Sequence, residues 1–188
     1  MIRTLAIIAG IAFVAAAVWV QHPRLDELPS PGVCFAPEGR CAARAIDALD
    51  AAGKEIRGHA YNFTTISGFP DALVRAANRG VDVQIIVDKT TPCERGTGVP
   101  ALLAAGIPVY VDFEPPIAHE KAWIIDGREV VSGSYNWSGQ ATLNSEVMIF
   151  DTNAANIAAY LDHWKQRLSI SRPFDADGFS KCKHPPPV

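Results

Sequence analysis

Residues 81–87, Val-Asp-Val-Gln-Ile-Ile-Val, form a nearly continuous apolar run near the middle of the chain. Such a run is typical of a strand covered on both faces. Strand-like sequence at 56–63 and a helical pattern at 70–78 precede it, and a further helical pattern at 40–52 opens the series. A short helix at 99–105 and a strand at 107–111 follow. This alternation predicts an α/β fold with one domain: a mixed, largely parallel sheet flanked by helices on both faces.

The composition fits a packed domain. Of the 188 residues, 48% are hydrophobic and 20% are charged, so there is enough apolar sequence for a core and wholesale disorder is excluded. The formal net charge is −3. This charge argues against a protein that holds duplex DNA through bulk positive charge, although a local basic patch would still serve.

The first 21 residues have the layout of an export signal. Arg3 is their only charge, an apolar run extends over 5–20, and Ala15 to Ala17 provide a small-residue cleavage site. We expect a cleaved signal peptide or, as the less favoured alternative, a membrane anchor through residues 4–20. The protein is then exported, and is periplasmic, secreted or held at the inner membrane. Residues 22–170 are the predicted domain, and 171–188 a Pro-rich C-terminal tail.

The four cysteines favour disulfides in an exported protein. Cys34 and Cys41 flank a Pro-Gly loop and are close enough in sequence to pair, which would leave Cys93 to pair with Cys182. Three connectivities remain open. A zinc site is the disfavoured alternative, because no C-x2-C or H-x3-H spacing is present.

A β-hairpin is predicted within residues 117–151, IAHEKAWIIDGREVVSGSYNWSGQATLNSEVMIFD, because Asp126-Gly127 lies between two β-rich runs. A two-residue type I′ turn would pair residue 125 with 128. Lys121 would then lie opposite Ser132, and His119 opposite Ser134. Asn136 would be a diagonal neighbour of His119, and these side chains would share one face of the hairpin.

This predicted cluster suits an anion with several oxygens better than a metal ion, because an ammonium beside a single imidazole repels a cation. Lys121, Ser134 and Asn136 would bind phosphate oxygens, and His119 would attack phosphorus. Glu146 would hold the far nitrogen of an imidazole and fix its tautomer.

These residues also carry a resemblance. The patterns are His119-x-Lys121-x4-Asp126, Gly133-Ser134-x-Asn136 and Asn144-Ser145-Glu146. Together they resemble the signature of the phospholipase D superfamily, and most of all its small bacterial endonuclease branch, which is related to the mitochondrial cardiolipin hydrolase/Zucchini group. The similarity extends over about residues 33–168 and implies the phospholipase D-like fold.

The resemblance implies two-step phosphodiester hydrolysis through a phosphohistidine, without metal or cofactor. Because the sequence has a single motif, it implies a homodimer in which each chain contributes His119. One His119 would be the nucleophile and the other the general acid and base, and Lys121 would stabilise charge. Asn136, Glu146 and Asp126 complete the implied catalytic set, although the hairpin argument makes Asp126 a turn former.

Three functions follow as hypotheses. The favoured one is a non-specific endonuclease. The alternative is a phospholipase D that cleaves the head groups of phosphatidylcholine or cardiolipin. A non-catalytic binding module is the third, and it fits less well because every residue type that the reaction needs is present.

Overall fold

An eight-stranded sheet forms the centre of the computed structural model, which describes residues 32–183. The strands follow the spatial order β1-β7-β6-β5-β2-β3-β4-β8. They are β1 (Gly32–Ala36), β2 (Glu55–Ala60), β3 (Asp82–Asp88), β4 (Val109–Asp112), β5 (Ala122–Ile125), β6 (Glu129–Gly133), β7 (Glu146–Asp151) and β8 (Arg172–Phe174). The helices are α1 (Cys41–Asp50), α2 (Phe69–Asn78), α3 (Val99–Ala104) and α4 (Ala154–Ile170).

The sheet is mixed, as predicted, but the prediction that it is largely parallel is wrong. Only the β2–β3 and β3–β4 pairs are parallel among the described strands. The other pairings of the sheet are antiparallel. The physical reason is connection length: helices α2 and α3 link β2, β3 and β4, whereas β5 and β6 are joined by a tight turn that reverses the chain.

Helices cover both faces, as predicted. One face carries α1, α2 and α3 over a core that contains the buried rings of Phe69, Trp123 and Trp137. The Trp123 and Trp137 ring centroids lie 5.0 Å apart. The other face carries α4, whose Ile157 and Trp164 pack on a second buried cluster. Trp123, Trp137 and Trp164 are therefore core residues.

The hairpin turn has the predicted type, but its register is shifted by one residue. Asp126 and Gly127 both have positive φ, 53° and 62°, and Arg128 N–H donates to the Ile125 carbonyl at 2.9 Å, as a type I′ turn requires. Ile125 nevertheless pairs with Glu129, because Arg128 adds a third residue to the loop.

This shift corrects the predicted cross-strand pairs. Ser132 lies opposite Ala122 rather than Lys121. A one-residue slip moves a side chain to the other face of a sheet. Accordingly, the Ser132 hydroxyl lies 2.9 Å from that of Tyr160 on α4 and does not join the predicted cluster.

Gly133 ends β6 where no side chain fits. Its φ is 150°, and a Cβ built there would lie 2.2 Å from the Val147 carbonyl oxygen of β7. The backbone of β7 is therefore close enough for Ser134, the next residue, to donate its N–H to that same oxygen at 3.1 Å.

Both disulfides follow the favoured pairing. Cys34 is joined to Cys41, and Cys93 to Cys182. All four cysteine sulfurs are used in disulfides, so the alternative of a zinc site with cysteine ligands is excluded. Two disulfides also indicate an oxidising, exported environment.

The boundary of the predicted tail at residue 171 is wrong for its first part. Residues 172–174 pair with β4, Phe179 is buried, and Cys182 is tied to Cys93, so this segment belongs to the domain. The predicted signal or anchor at 1–21 and the prolines at 185–187 lie outside the described residues. Within 32–183, no helix is both long enough and apolar enough to cross a membrane.

Candidate active site

The topology places the segment before β5 at the carboxyl ends of β2 and β3. Strand β5 runs antiparallel to β2, with Ala122 opposite His59, so residues 119–121 lie where β2 ends. Asp88, the last residue of β3, accepts a hydrogen bond from Ala118 N–H at 2.7 Å. In open sheets of this kind, ligands bind beyond the carboxyl ends of the parallel strands.

His119 and Lys121 are in direct contact. Lys121 Nζ lies 2.9 Å from His119 Nδ1 and donates to the His119 carbonyl at 2.6 Å. Tyr61, which follows β2, packs against both side chains: its ring centroid is 4.4 Å from that of His119 and 5.1 Å from Lys121 Nζ. The imidazole is solvent-exposed while the ammonium is buried. The exposed ring is therefore backed by a positive charge that solvent barely reaches.

Lys121 is held in an environment that disfavours its charge. Burial lowers the pKa of Lys121, and the nearby Glu146 carboxylate opposes that change. A buried ammonium with an incomplete set of acceptors gains most from a multiply charged anion, such as a phosphate group.

Ser134 and Glu146 form the second contact of the site. The Ser134 hydroxyl donates to Glu146 Oε2 at 2.5 Å and accepts from Val147 N–H at 3.1 Å. Asn144 donates its side-chain amide to Glu146 Oε1 at 3.1 Å. The hydrogen bonds at Glu146 in this chain thus come from Ser134 and Asn144, whereas an imidazole partner was predicted.

Asn136 lies on the loop after β6, two residues beyond Ser134. Its side-chain Oδ1 is buried and has no hydrogen-bond partner among the described residues. A buried amide oxygen without a donor is costly, so the loop holds an unused acceptor. The adjacent Tyr135 hydroxyl is also buried without a partner, and burial together with Glu146 raises the pKa of Tyr135 to about 12.

The predicted residues therefore fall into connected groups. His119 contacts Lys121 directly, Ser134 contacts Glu146 directly, and the charge of Glu146 acts on Lys121. This arrangement suits the binding of a phosphate and attack on its phosphorus. It provides the ammonium of Lys121, the imidazole of His119, the hydroxyl of Ser134 and the side-chain amide of Asn136.

Asp126 is not brought to this group. Its carboxylate sits at the opposite end of β5 and accepts backbone N–H groups of Gly53, Lys54 and Glu55 at 3.0, 2.7 and 2.9 Å. These contacts attach the hairpin turn to the start of β2. The structure thus supports a turn and anchoring role for Asp126.

Tyr61 was missed as a site residue, although it lies in the strand predicted at 56–63. Its position follows from two things that a local pattern does not reveal: the pairing of β2 with β5, and the way the chain leaves β2. His59, two residues before Tyr61, is buried on β2.

Glu94, in the loop after β3, makes the stability of the protein depend on pH. Burial, with a smaller contribution from Asp88, raises the pKa of Glu94 to about 7 from an ordinary 4.5. Because the pKa of this carboxyl is higher in the folded protein than in the unfolded chain, the free energy of unfolding falls as pH rises from 4.5 through 7. We expect Glu94→Gln to stabilise the protein at pH 8 by about 1 kcal/mol, since solvent screens this half-buried group, and to have no effect at pH 4. Chemical unfolding at both pH values tests this.

The matched control is Glu38→Gln, which removes a carboxylate at an exposed position. An equal gain at pH 4 and pH 8 for Glu94→Gln would show that the gain does not come from ionisation of Glu94.

Comparison with known proteins agrees with this geometry. The cardiolipin synthase, PLD-like domain family matches residues 45–168. A phospholipase D of Rickettsia bellii is 33% identical over 151 residues, 79% of this chain and 75% of the relative. The human mitochondrial cardiolipin hydrolase is 32% identical over 129 residues, 68% of this chain and 51% of the relative.

A solved structure is also similar. Nuc from Salmonella typhimurium, a phospholipase D family member, is 34% identical and superposes with a TM-score of 0.71, covering 77% of this chain and 97% of Nuc. Fold and site together define an α/β phosphodiesterase. The chain belongs to the phospholipase D superfamily.

Proposed function

We propose that the protein hydrolyses phosphodiesters through a phosphohistidine formed on His119, in a homodimer that joins two copies of the site. The observation that carries this proposal is the exposed imidazole of His119 held against the buried ammonium of Lys121. One chain offers a single such pair within the described residues, whereas the reaction needs a nucleophile and a separate proton donor.

In the first step, His119 Nε2 of one copy attacks phosphorus, and the bond to the leaving oxygen breaks. The protonated His119 of the second copy gives its proton to that oxygen. In the second step, water attacks phosphorus and the phosphorus–nitrogen bond breaks, while the second His119 takes the proton from water. The net reaction is hydrolysis, and both imidazoles return to their starting states.

The contact between Lys121 and His119 supports a role for the substrate in activating the nucleophile. An ammonium that donates to Nδ1 leaves the proton of a neutral imidazole on Nε2, so that Nε2 has no free lone pair for attack on phosphorus. When phosphate draws Lys121 Nζ onto its own oxygens, Nδ1 is released and accepts the proton, which frees the Nε2 lone pair for attack. Lys121 then stabilises the charge on phosphate, so the proposed reaction needs no metal.

We propose nucleic acid as the substrate, without sequence preference. His119 and Ser134 are exposed, so a polymer backbone can reach them from solvent. The side chains gathered at the site match a phosphate group, which every nucleotide carries whatever its base. The single motif also resembles that of the endonuclease branch, and export, which the two disulfides indicate, would place the enzyme in the periplasm or outside the cell.

Phospholipid is the second candidate. The Rickettsia relatives are named phospholipase D, and the human relative is named for cardiolipin. Large apolar side chains are exposed near the site residues in sequence: Ile117 is 53% and Leu143 is 72% exposed. Such side chains favour contact with a lipid surface.

The substrate test uses protein expressed with its full sequence and purified from the exported fraction. It is incubated in EDTA with plasmid DNA, with RNA, and with vesicles of phosphatidylcholine or cardiolipin. Cleavage of nucleic acid alone supports the first candidate, and release of head groups or phosphatidic acid alone supports the second. No cleavage of any of them by a folded dimer would contradict both.

Mixed dimers test the shared site. Wild-type and His119→Ala chains are co-expressed at known ratios, so that subunits assort at random. If each site needs two His119 side chains, activity follows the square of the wild-type fraction, and an equal mixture retains about one quarter of the activity. A linear dependence, with about half the activity retained, would show that each chain works alone.

A further inference from the structure

A second cluster of ligand-type side chains lies beside α4. It consists of His59 from β2, Glu120 from the segment before β5, and His163 from α4. One ligand atom of each residue lies within 4.8 Å of the others. Glu120 connects the three: its Oε1 is 2.8 Å from His163 Nε2, and its Oε2 is 3.5 Å from His59 Nε2.

His59 is the unusual member. The residue is only 5% exposed, and its Nε2 has no hydrogen-bond partner among the described residues. Buried polar atoms are almost always satisfied, so an imidazole nitrogen left without a partner and aimed at a carboxylate calls for an explanation. Core packing explains the burial of the ring but not the missing hydrogen-bond partner of Nε2.

We propose that His59, Glu120 and His163 bind a divalent transition-metal ion of the zinc class. Two imidazole nitrogens and one carboxylate oxygen are a donor set that zinc accepts, with water in a fourth position. In a tetrahedral zinc site with bonds of about 2.0–2.1 Å, neighbouring ligand atoms are about 3.3 Å apart. The separations of 2.8 and 3.5 Å, each measured to a different oxygen of the Glu120 carboxylate, lie on either side of that spacing.

The proposed ion site differs from the catalytic pair, although Glu120 lies between the two catalytic residues in sequence. The side chain of Glu120 is directed to α4 through His163 and His59. His119 and Lys121 instead contact each other and the ring of Tyr61. A bound ion would therefore tie α4 and β2 to the catalytic segment without entering the phosphate site, and hydrolysis in EDTA remains compatible with it.

Metal titration tests the proposal and does not depend on the substrate. Protein without an affinity tag is stripped with EDTA, desalted, and titrated with Zn²⁺ by calorimetry and with Co²⁺ by visible absorption. We expect one ion per chain, a rise in thermal stability on binding, and the visible bands of cobalt with nitrogen and oxygen ligands. Absence of saturable binding would overturn the proposal.

Variants locate the ion. His163 is half-exposed, so His163→Gln should fold, and it should weaken zinc binding at least about 100-fold, the upper range for loss of an outer-shell partner. Asp162→Asn, an exposed neighbour on α4, is the matched control and should bind like the wild type. His119→Ala should also bind like the wild type.

Two further outcomes would reject the site. The first is wild-type affinity in His163→Gln. The second is a loss of binding in His119→Ala as large as that in His163→Gln, which would place the ion at the catalytic pair. Circular dichroism of each variant separates loss of binding from loss of the fold.

Discussion

His119→Ala is expected to lower kcat/KM for phosphodiester cleavage by at least about 10³-fold, because no other group of the site replaces a nucleophile that forms a covalent bond to phosphorus. The side chain is exposed, so the substitution removes little packing and thermal stability should stay within a few degrees of the wild type. Initial rates on the substrate identified by the cleavage assay, together with thermal unfolding, measure both quantities.

Two controls make the result specific. Lys165→Ala removes an exposed cation on α4 and should leave the rate unchanged. Rapid quench of the wild type into alkaline detergent with a ³²P-labelled phosphodiester should trap label on the protein, because the phosphorus–nitrogen bond of phosphohistidine is labile in acid but stable in base, and His119→Ala should trap none. Full activity in His119→Ala, or undiminished labelling, would remove His119 from the mechanism.

The site was predictable from sequence where its contacts are local. His119 and Lys121 are two residues apart, so an extended chain keeps them on one side whatever the strands around them do. The type I′ turn was predictable too, because Asp126-Gly127 supports two consecutive positive φ values. These are properties of short segments, so predicting them does not require a correct prediction of the surrounding fold.

Longer-range features were harder to predict. The turn type did not determine the register, because Arg128 enters the loop and shifts every later pair by one residue. That shift sent Ser132 to Tyr160 on the opposite face of the sheet. The number of antiparallel pairs also escaped prediction, since β8 is only three residues long and contains Pro173, a weak strand pattern.

The cluster at α4 shows the same limit. His59, Glu120 and His163 are far apart in the chain, and no spacing pattern connects them. Their meeting depends on the pairing of β2 with β5 and on the packing of α4 across both strands. Only the tertiary structure brings these side chains together.

Asp126 belongs to the sequence motif, but its contacts give it a role in stability rather than in catalysis. We expect Asp126→Ala to lower the free energy of unfolding by about 3 kcal/mol at pH 7. Three backbone N–H groups lose their acceptor, and the side chain that provides it is 6% exposed. Activity per folded molecule should remain, because the four residues of β5, about 13 Å of strand at ~3.3 Å each, separate this carboxylate from the catalytic segment.

The pH dependence of the same variant provides an independent check. Burial raises the pKa of Asp126, but hydrogen bonds from Gly53, Glu55, Lys54 and Arg128 outweigh it, and the pKa lies below its ordinary 3.8. A lowered acid pKa stabilises the fold above 3.8, and that contribution is lost as pH falls through the folded-state pKa. The stability difference between wild type and Asp126→Ala should therefore narrow in strong acid.

Arg128→Ala is the matched control, since it removes only the exposed partner of the same carboxylate and should cost less than about 0.5 kcal/mol. Denaturant unfolding and initial rates on the same samples separate the two roles of Asp126. An Asp126→Ala protein with wild-type stability and no activity would make Asp126 a catalytic residue, and the anchoring role assigned to its three backbone contacts would then be wrong.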